Sequence, residues 1–219
     1  MTEINVLEIA RDHVAPNFQN CVYDLKSGRP DRHATDPFGS QTITTHRVNC
    51  VQFTYAVLWK IMDLHFSTYT DSDGVCVDLP VRKQKDYMYV KGNIPGDKSK
   101  FSQVERIHNA IVSRHLSVMG PVGAIVEYGM GEEVGISELQ PGDFIQFWRW
   151  NSKGKRWGPS GHSVLVAGFP KKIKGGYECE TWGAQGSGIG YKTETFKSSN
   201  RVVFGARITG SVIGIGGGD

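Results

Sequence analysis

A cysteine at the start of a predicted helix is the strongest candidate for chemistry in this sequence. Cys50 directly follows Asn49, a good helix N-cap, and the apolar residues from Val51 to Leu64 predict a buried helix. At the first turn of a helix, unpaired backbone N–H groups and the positive end of the helix dipole favour a thiolate. The same groups can stabilise an oxyanion, so the position suits a nucleophile. A cysteine that only packs in the core is the alternative.

Three short segments follow one another in an order that resembles a known enzyme superfamily. They are the helix-start cysteine in Val48–Phe53, the Pro-Gly-Asp-Phe turn at 141–144, and the Gly-His pair that opens the apolar run 161–168. Together, over residues 45 to 185, they resemble the NlpC and CHAP branches of the papain-like cysteine peptidases and amidases. Members of these branches hydrolyse amide bonds in peptidoglycan peptides, and the resemblance implies that activity here.

The resemblance also implies which side chains would carry the reaction. His162 matches the family's base, which accepts the thiol proton of Cys50 and then protonates the leaving amine. Glu180 lies in a Glu-Thr-Trp-Gly run that resembles the Asn-Ser-Trp-Gly of papain, and it would orient the imidazole. This departs from the His, Asn or Gln often seen at that place. Gln185 is the alternative orienting residue, and Glu180 would then be an exposed strand residue.

Three residues are predicted to bind substrate along the cleft: His46, Trp182 and Gln185. His46 stands four residues before Cys50, which suits a place in the cleft or in the oxyanion pocket. The four cysteines are widely spaced, without the C-x-x-C pairs of zinc or dithiol sites, so neither a metal nor another cofactor is expected. Asp143 is expected to cap the local backbone of its turn.

The order of the predicted elements favours an α+β fold. Helical patterns cover 3–13, 51–64 and 102–119, and strand patterns cover 123–128, 143–150, 162–169, 177–182 and 202–208. The resemblance refines this to a papain-like, NlpC-type fold, with a helical N-terminal part packed on an antiparallel β-sheet. We predict a single domain over 1–219, with an insertion at 66–100 and a flexible tail at 211–219.

Composition limits the kinds of partner. The formal net charge is only +3, from 25 basic and 22 acidic side chains, which argues against nucleic acid. No apolar stretch approaches the roughly 20 residues of a membrane span, and the first 15 residues lack the apolar run of a signal peptide. We therefore expect synthesis in the cytoplasm, and the resemblance to NlpC and CHAP enzymes implies action on the cell wall after export or lysis.

The lead hypothesis is a peptidoglycan amidase or endopeptidase, either a phage lysis enzyme or an antibacterial effector injected by a contractile (type VI) secretion system. For an effector, the resemblance implies an immunity protein as inhibitory partner. Two alternatives remain open: a protease or acyltransferase acting on proteins, and a catalytically inactive papain-like binding module.

Overall fold

The computed structural model describes residues 4–19, 21–23, 47–48, 50–65, 68–70, 76–78, 121–127, 130–151 and 156–209. The helices are α1 (Val6–Ile9), α2 (Cys50–His65) and α3 (Pro121–Glu127), and α1 continues as a π-helical turn (Ala10–Val14) and a 3-10 turn (Ala15–Phe18). The strands are β1 (Val22–Tyr23), β2 (Arg47–Val48), β3 (Thr68–Thr70), β4 (Cys76–Asp78), β5 (Gly131–Val134), β6 (Phe144–Asn151), β7 (Arg156–Val166), β8 (Lys171–Ile173), β9 (Gly176–Gln185), β10 (Gly188–Lys197) and β11 (Arg201–Ile208).

A curled, half-barrel sheet of antiparallel strands makes up most of the described structure. Its strand order is β10-β9-β7-β6-β11-β5, with β8 paired to β9. The predicted α+β, papain-like fold, with a helical N-terminal part packed on a sheet, is therefore wrong: within the described ranges the helices are few and the sheet forms the body. The main cause is β10, whose ten residues pair along their full length with β9. Its apolar side chains are too sparse to give a strand pattern.

Two other predicted elements differ from the structure. The segment 123–128 was expected as a strand, but it lies mostly in α3, where Pro121 occupies the first helical position. The strand expected to open at His162 begins six residues earlier, at Arg156. The predicted helix 102–119 and tail 211–219 lie outside the described residues. Of the predicted insertion at 66–100, the structure describes only β3 and β4.

Helix α2 covers one face of the sheet, which we call the helix face. The ring of Phe53 packs edge-on against Trp182 on β9, with 5.3 Å between centroids, and against Phe18 at 5.6 Å. Both Phe53 and Leu58 are fully buried, as the helical pattern of apolar residues predicts. This packing fixes the start of α2, and with it Cys50, against strand β7 and strand β9.

The opposite face of the sheet is the inside of the curl, which we call the concave face. Arg201 on β11 donates hydrogen bonds to Glu194 and to the carbonyl of Thr195 on β10, although three strands separate β10 from β11 in the sheet order. The side chains that make this contact must therefore point into the curl. A second apolar cluster, including Phe147 and Phe196, lies on this face.

The turn into β6 is held by a buried carboxylate. Asp143 Oδ2 accepts a hydrogen bond of 2.7 Å from the backbone N–H of Gln140, so the predicted capping role of Asp143 is confirmed. Both carboxylate oxygens also accept hydrogen bonds of 2.9 Å from the guanidinium of Arg207 on β11. Gly142, with φ of 96°, supplies the left-handed backbone that the turn requires. Together these contacts fix the turn to the neighbouring strand β11.

No helix in the described ranges is both long enough and apolar enough to cross a membrane.

Candidate functional site

Cys50 is the first residue of α2 and lies on the helix face of the sheet. Its thiol is buried, with 5% of the residue exposed. The sulfur is surrounded by hydrogen-bond donors: the backbone N–H of Ser163 on β7, the hydroxyl of Tyr23 on β1, and the backbone N–H groups of Cys50 and Val51. Sequence analysis anticipated the helix start and its N–H groups, but not Tyr23.

Burial controls the protonation of this thiol. It raises the pKa of Cys50 above the ordinary value, and the hydrogen bonds from Ser163 and Tyr23 act in the opposite direction without cancelling it. The pKa of the Tyr23 hydroxyl is raised as well, first by burial and then by the adjacent Cys50. In this structure the residue is a protonated thiol at neutral pH, held among donors that would stabilise a negative charge.

The strand beside Cys50 is anchored to α2 by a hydroxyl pair. The hydroxyls of Thr54 and Ser163 lie 2.8 Å apart, and both side chains are buried. Thr54 also contacts the backbone carbonyl of Cys50 at 3.0 Å. The side chain of Ser163 therefore points to the helix face, where it helps to position the first turn of α2.

His162 points to the concave face instead. Successive side chains of a strand alternate between faces, so the orientation of Ser163 directs His162 away from α2. The imidazole is buried, with 7% of the residue exposed, and it packs edge-on against Phe147 at 5.7 Å. Hence the structure does not bring Cys50 and His162 together, because the sheet lies between the thiol and the imidazole.

The surroundings of His162 keep its ring neutral. Burial is the main cause that lowers the pKa of His162, to about 4. The positive charges of Arg149, Lys192 and Arg201 lower the pKa further, while the carboxylate of Glu194 raises it. Near neutral pH the imidazole therefore carries no charge, so it keeps a free lone pair for a hydrogen bond or a proton.

Glu194 is the centre of an ionic cluster on the concave face. Its side chain is only 4% exposed, and it lies 2.6 Å from Lys192 Nζ, 3.4 Å from Arg201 Nη2 and 3.8 Å from Arg149 Nη2. Both arginines also place their guanidinium groups over the ring of Phe147, at 5.3 and 5.2 Å from its centroid. A buried carboxylate is compatible with the apolar interior only with such partners.

Glu180 lies far from His162. It is exposed, and its side chain shares the helix face with Trp182. The register that pairs Leu165 with Trp182 puts Glu180 five residues along β9 from the position level with His162, a distance of about 16 Å. The structure therefore does not place Glu180 where it would orient the imidazole.

The alternative orienting residue, Gln185, fits the geometry better. The same register puts Gln185 level with His162, and strand alternation directs it to the same concave face. Gln185 is 8% exposed, and its amide donates a hydrogen bond of 3.1 Å to the carbonyl of Gly190. This amide holds the β9–β10 hairpin closed.

The predicted substrate-binding residues do not form one surface. Trp182 is a core residue, 5% exposed and packed on Phe53, so it positions α2. Gln185 lies on the concave face. His46 lies outside the described residues.

The described residues contain no cluster of three or more His, Cys, Asp or Glu side chains that could hold a metal ion. The thiols of Cys21, Cys50 and Cys179 are free.

Comparison with known proteins gives no family for this chain. No family model, curated protein or solved structure matches it. The resemblance to NlpC and CHAP enzymes thus stays a prediction from three sequence motifs.

Three residues that surround Cys50 or His162 were not predicted from the sequence: Tyr23, Glu194 and Arg201. Tyr23 precedes Cys50 by 27 positions and gives no local signal. Glu194 and Arg201 stand in a polar strand and after a turn, where charged residues are usually solvated. Only the curl of the sheet makes the buried Glu194 and the partly buried Arg201 neighbours of His162.

Proposed function

We propose that this protein is a cysteine hydrolase that cleaves amide bonds, with Cys50 as its nucleophile and peptidoglycan peptides as its substrate. One observation carries the proposal: Cys50 opens a 16-residue helix, and its sulfur is surrounded by the Tyr23 hydroxyl and by three backbone N–H groups. Donors in this arrangement stabilise both a thiolate and the oxyanion of a tetrahedral intermediate.

The chemistry would run in two steps. The thiol loses its proton to a base, the sulfur adds to the amide carbonyl, and the protonated base gives that proton to the departing amine. Water then hydrolyses the thioester and restores the thiol. The Tyr23 hydroxyl would donate a hydrogen bond to the sulfur or the oxyanion, and its raised pKa makes it unsuitable as the base.

The base in this scheme is His162, and the proposal requires its imidazole to reach the helix face. The first half of β7 offers a physical route. The pairing of β6 and β7 is irregular just before His162: Trp148 pairs with Gly161, and Trp150 pairs with Trp157. A one-residue shift of such a bulge reverses the face on which a neighbouring side chain lies. A bulge between His162 and Ser163 would turn the imidazole towards Cys50 and leave the Thr54–Ser163 contact in place.

A digestion assay tests the proposal. The protein is incubated with purified sacculi and, separately, with a generic unfolded protein, and new amino groups are measured. We expect release from sacculi by the parent and loss of at least about 1,000-fold in Cys50→Ala. Cys179→Ala is the matched control, because Cys179 is an equally buried free thiol on the concave face. Full activity in Cys50→Ala contradicts the hydrolase proposal, and cleavage of the unfolded protein alone indicates the protease alternative.

A second candidate function is a binding module without cysteine catalysis. It is favoured by the position of His162 on the face opposite Cys50. If this candidate is right, we expect no new amino groups from either substrate. We also expect slow alkylation of Cys50, with a rate that rises only well above neutral pH, as for an unactivated buried thiol. For a hydrolase, we instead expect the alkylation rate of Cys50 to change when His162 is replaced.

The place of action follows only if the hydrolase proposal holds. The enzyme would then act on the cell wall after export or lysis, and an immunity protein that covers the Cys50 site would be its natural inhibitor.

A further inference from the structure

An apolar cavity of about 540 Å³ opens on the concave face, away from Cys50. Its size lies within the range of about 300–1,000 Å³ that is usual for small-molecule sites. The side chains that face into it come from four strands and from the loop after β5: Val134, Leu139, Tyr177, Phe196, Val203 and Arg201. All of them except Arg201 are apolar or aromatic.

Arg201 is ion-paired with Glu194, but three cations, Arg149, Lys192 and Arg201, surround that one carboxylate, so the charge beside this cavity is net positive. Two further charged residues border the cavity, Glu133 and Lys197. Each follows or precedes an inward-facing strand residue, Val134 or Phe196, so strand alternation directs both charges to the other side of the sheet. The charge that faces the cavity is therefore the guanidinium of Arg201.

This guanidinium keeps hydrogen-bonding capacity for a ligand. One N–H of Arg201 donates to the Thr195 carbonyl, and one donates to Glu194 at 3.4 Å. Of its five N–H groups, the remaining three have no hydrogen-bond partner among the residues that the structure describes. The side chain is only 17% exposed, so water has limited access to these donors. A planar guanidinium with free N–H groups matches a carboxylate in geometry and charge.

We propose that the cavity on the concave face binds a medium-chain fatty carboxylate, with the apolar chain against Val203 and Phe196 and the carboxylate on Arg201. An apolar wall with one cation at its boundary suits such an amphiphile. A neutral chain would leave the Arg201 donors without a partner, and a cationic chain would repel the guanidinium. This site does not depend on the proposed hydrolase activity, because it lies on the other side of the sheet from Cys50.

Calorimetric titration of the full chain tests the site. The probes are decanoate and decyltrimethylammonium, which share a ten-carbon chain and differ in the sign of the head group, both kept below the concentrations at which they form micelles. We expect saturable binding of decanoate, and binding of the cation that is weaker by roughly ten- to a hundredfold. Equal binding of the two amphiphiles, or no saturable binding of decanoate, overturns the proposal.

Two variants separate the head-group contact from the cavity. Arg201→Met keeps an unbranched apolar stem but removes the charge, so decanoate should lose its advantage over the cation. Because Arg201 also holds Glu194, this variant can lose its fold. Val203→Trp leaves Arg201 in place and fills the cavity, so it should weaken decanoate binding at least about tenfold. The matched control is Thr193→Trp on the exposed outer side of β10. Parent-like binding in Val203→Trp contradicts the site.

Discussion

The buried, neutral state of His162 predicts a pH dependence of folding that can be measured. In the folded protein the pKa of His162 is lowered to about 4, chiefly by burial, whereas in the unfolded chain it returns to the ordinary value of 6.5. Between these two values the unfolded state binds more protons than the folded state. Stability is therefore unaffected above the unfolded pKa and is lost as the pH falls towards the folded pKa.

The size of the effect follows from the two pKa values. Each pKa unit corresponds to about 1.4 kcal/mol, so the full difference amounts to about 3 kcal/mol. About pH 5 lies more than halfway from the unfolded to the folded pKa of His162. At that pH, His162 should lower the free energy of unfolding by about 2 kcal/mol relative to about pH 7.5. The neighbouring cations act in the same direction as burial, since each of them disfavours a charged imidazole.

Urea denaturation of the parent and of His162→Gln at both pH values isolates this contribution. Glutamine does not titrate, so its variant should lose about 2 kcal/mol less than the parent between the two pH values. His13→Gln is the control, because it makes the same substitution at an exposed site. Equal losses in the parent and in His162→Gln would falsify the buried, concave placement of His162. A solvent-exposed imidazole would give that result.

Two further substitutions test contacts that hold the sheet together. Arg207→Ala should lower the free energy of unfolding by about 3 kcal/mol, because it leaves the buried Asp143 carboxylate without its ion-pair partner. Chemical denaturation measures this loss. The control, Lys172→Ala at an exposed site of β8, should change the free energy of unfolding by less than about 0.5 kcal/mol. Gly176→Ala should destabilise by more than about 2 kcal/mol, because its Cβ would lie 2.0 Å from a backbone oxygen of β10. Gly186→Ala, which meets nothing within 4 Å, is the matched control in thermal unfolding, and similar melting temperatures for both variants would count against the β9–β10 register.

The placement of His162 also decides how the proposed hydrolase is to be understood. A thiol among four hydrogen-bond donors is prepared to carry negative charge, yet burial keeps it protonated and the described imidazole is on the wrong side of the sheet to accept its proton. If the enzyme is active, the bulge at the start of β7 is the element that must move. A substrate that binds more tightly to the form with the shifted bulge would stabilise that form, so that substrate binding would activate the thiol.

Local sequence determined several features of this protein correctly. The apolar pattern after Asn49 predicted α2 to within a residue at each end, since an amphipathic or buried helix repeats its apolar residues whatever lies around it. The Pro-Gly-Asp-Phe turn and the capping role of Asp143 were likewise readable, because they depend on contacts within four residues. The strands β6, β9 and β11 were also predicted from their local apolar patterns, although β9 continues three residues beyond its predicted end.

Only the tertiary structure decided which side chains meet. The face to which His162 points depends on the register of β7, and a change of one residue in that register reverses it, so the spacing between Cys50 and His162 in the sequence has no bearing on whether they touch. The polar strand β10 is recruited by pairing with β9 rather than by its own apolar pattern. Its curl towards β11 then buries Glu194 and brings the partly buried Arg201 beside His162. Long-range strand pairing, which no local pattern encodes, therefore created both the half-barrel and its concave interior.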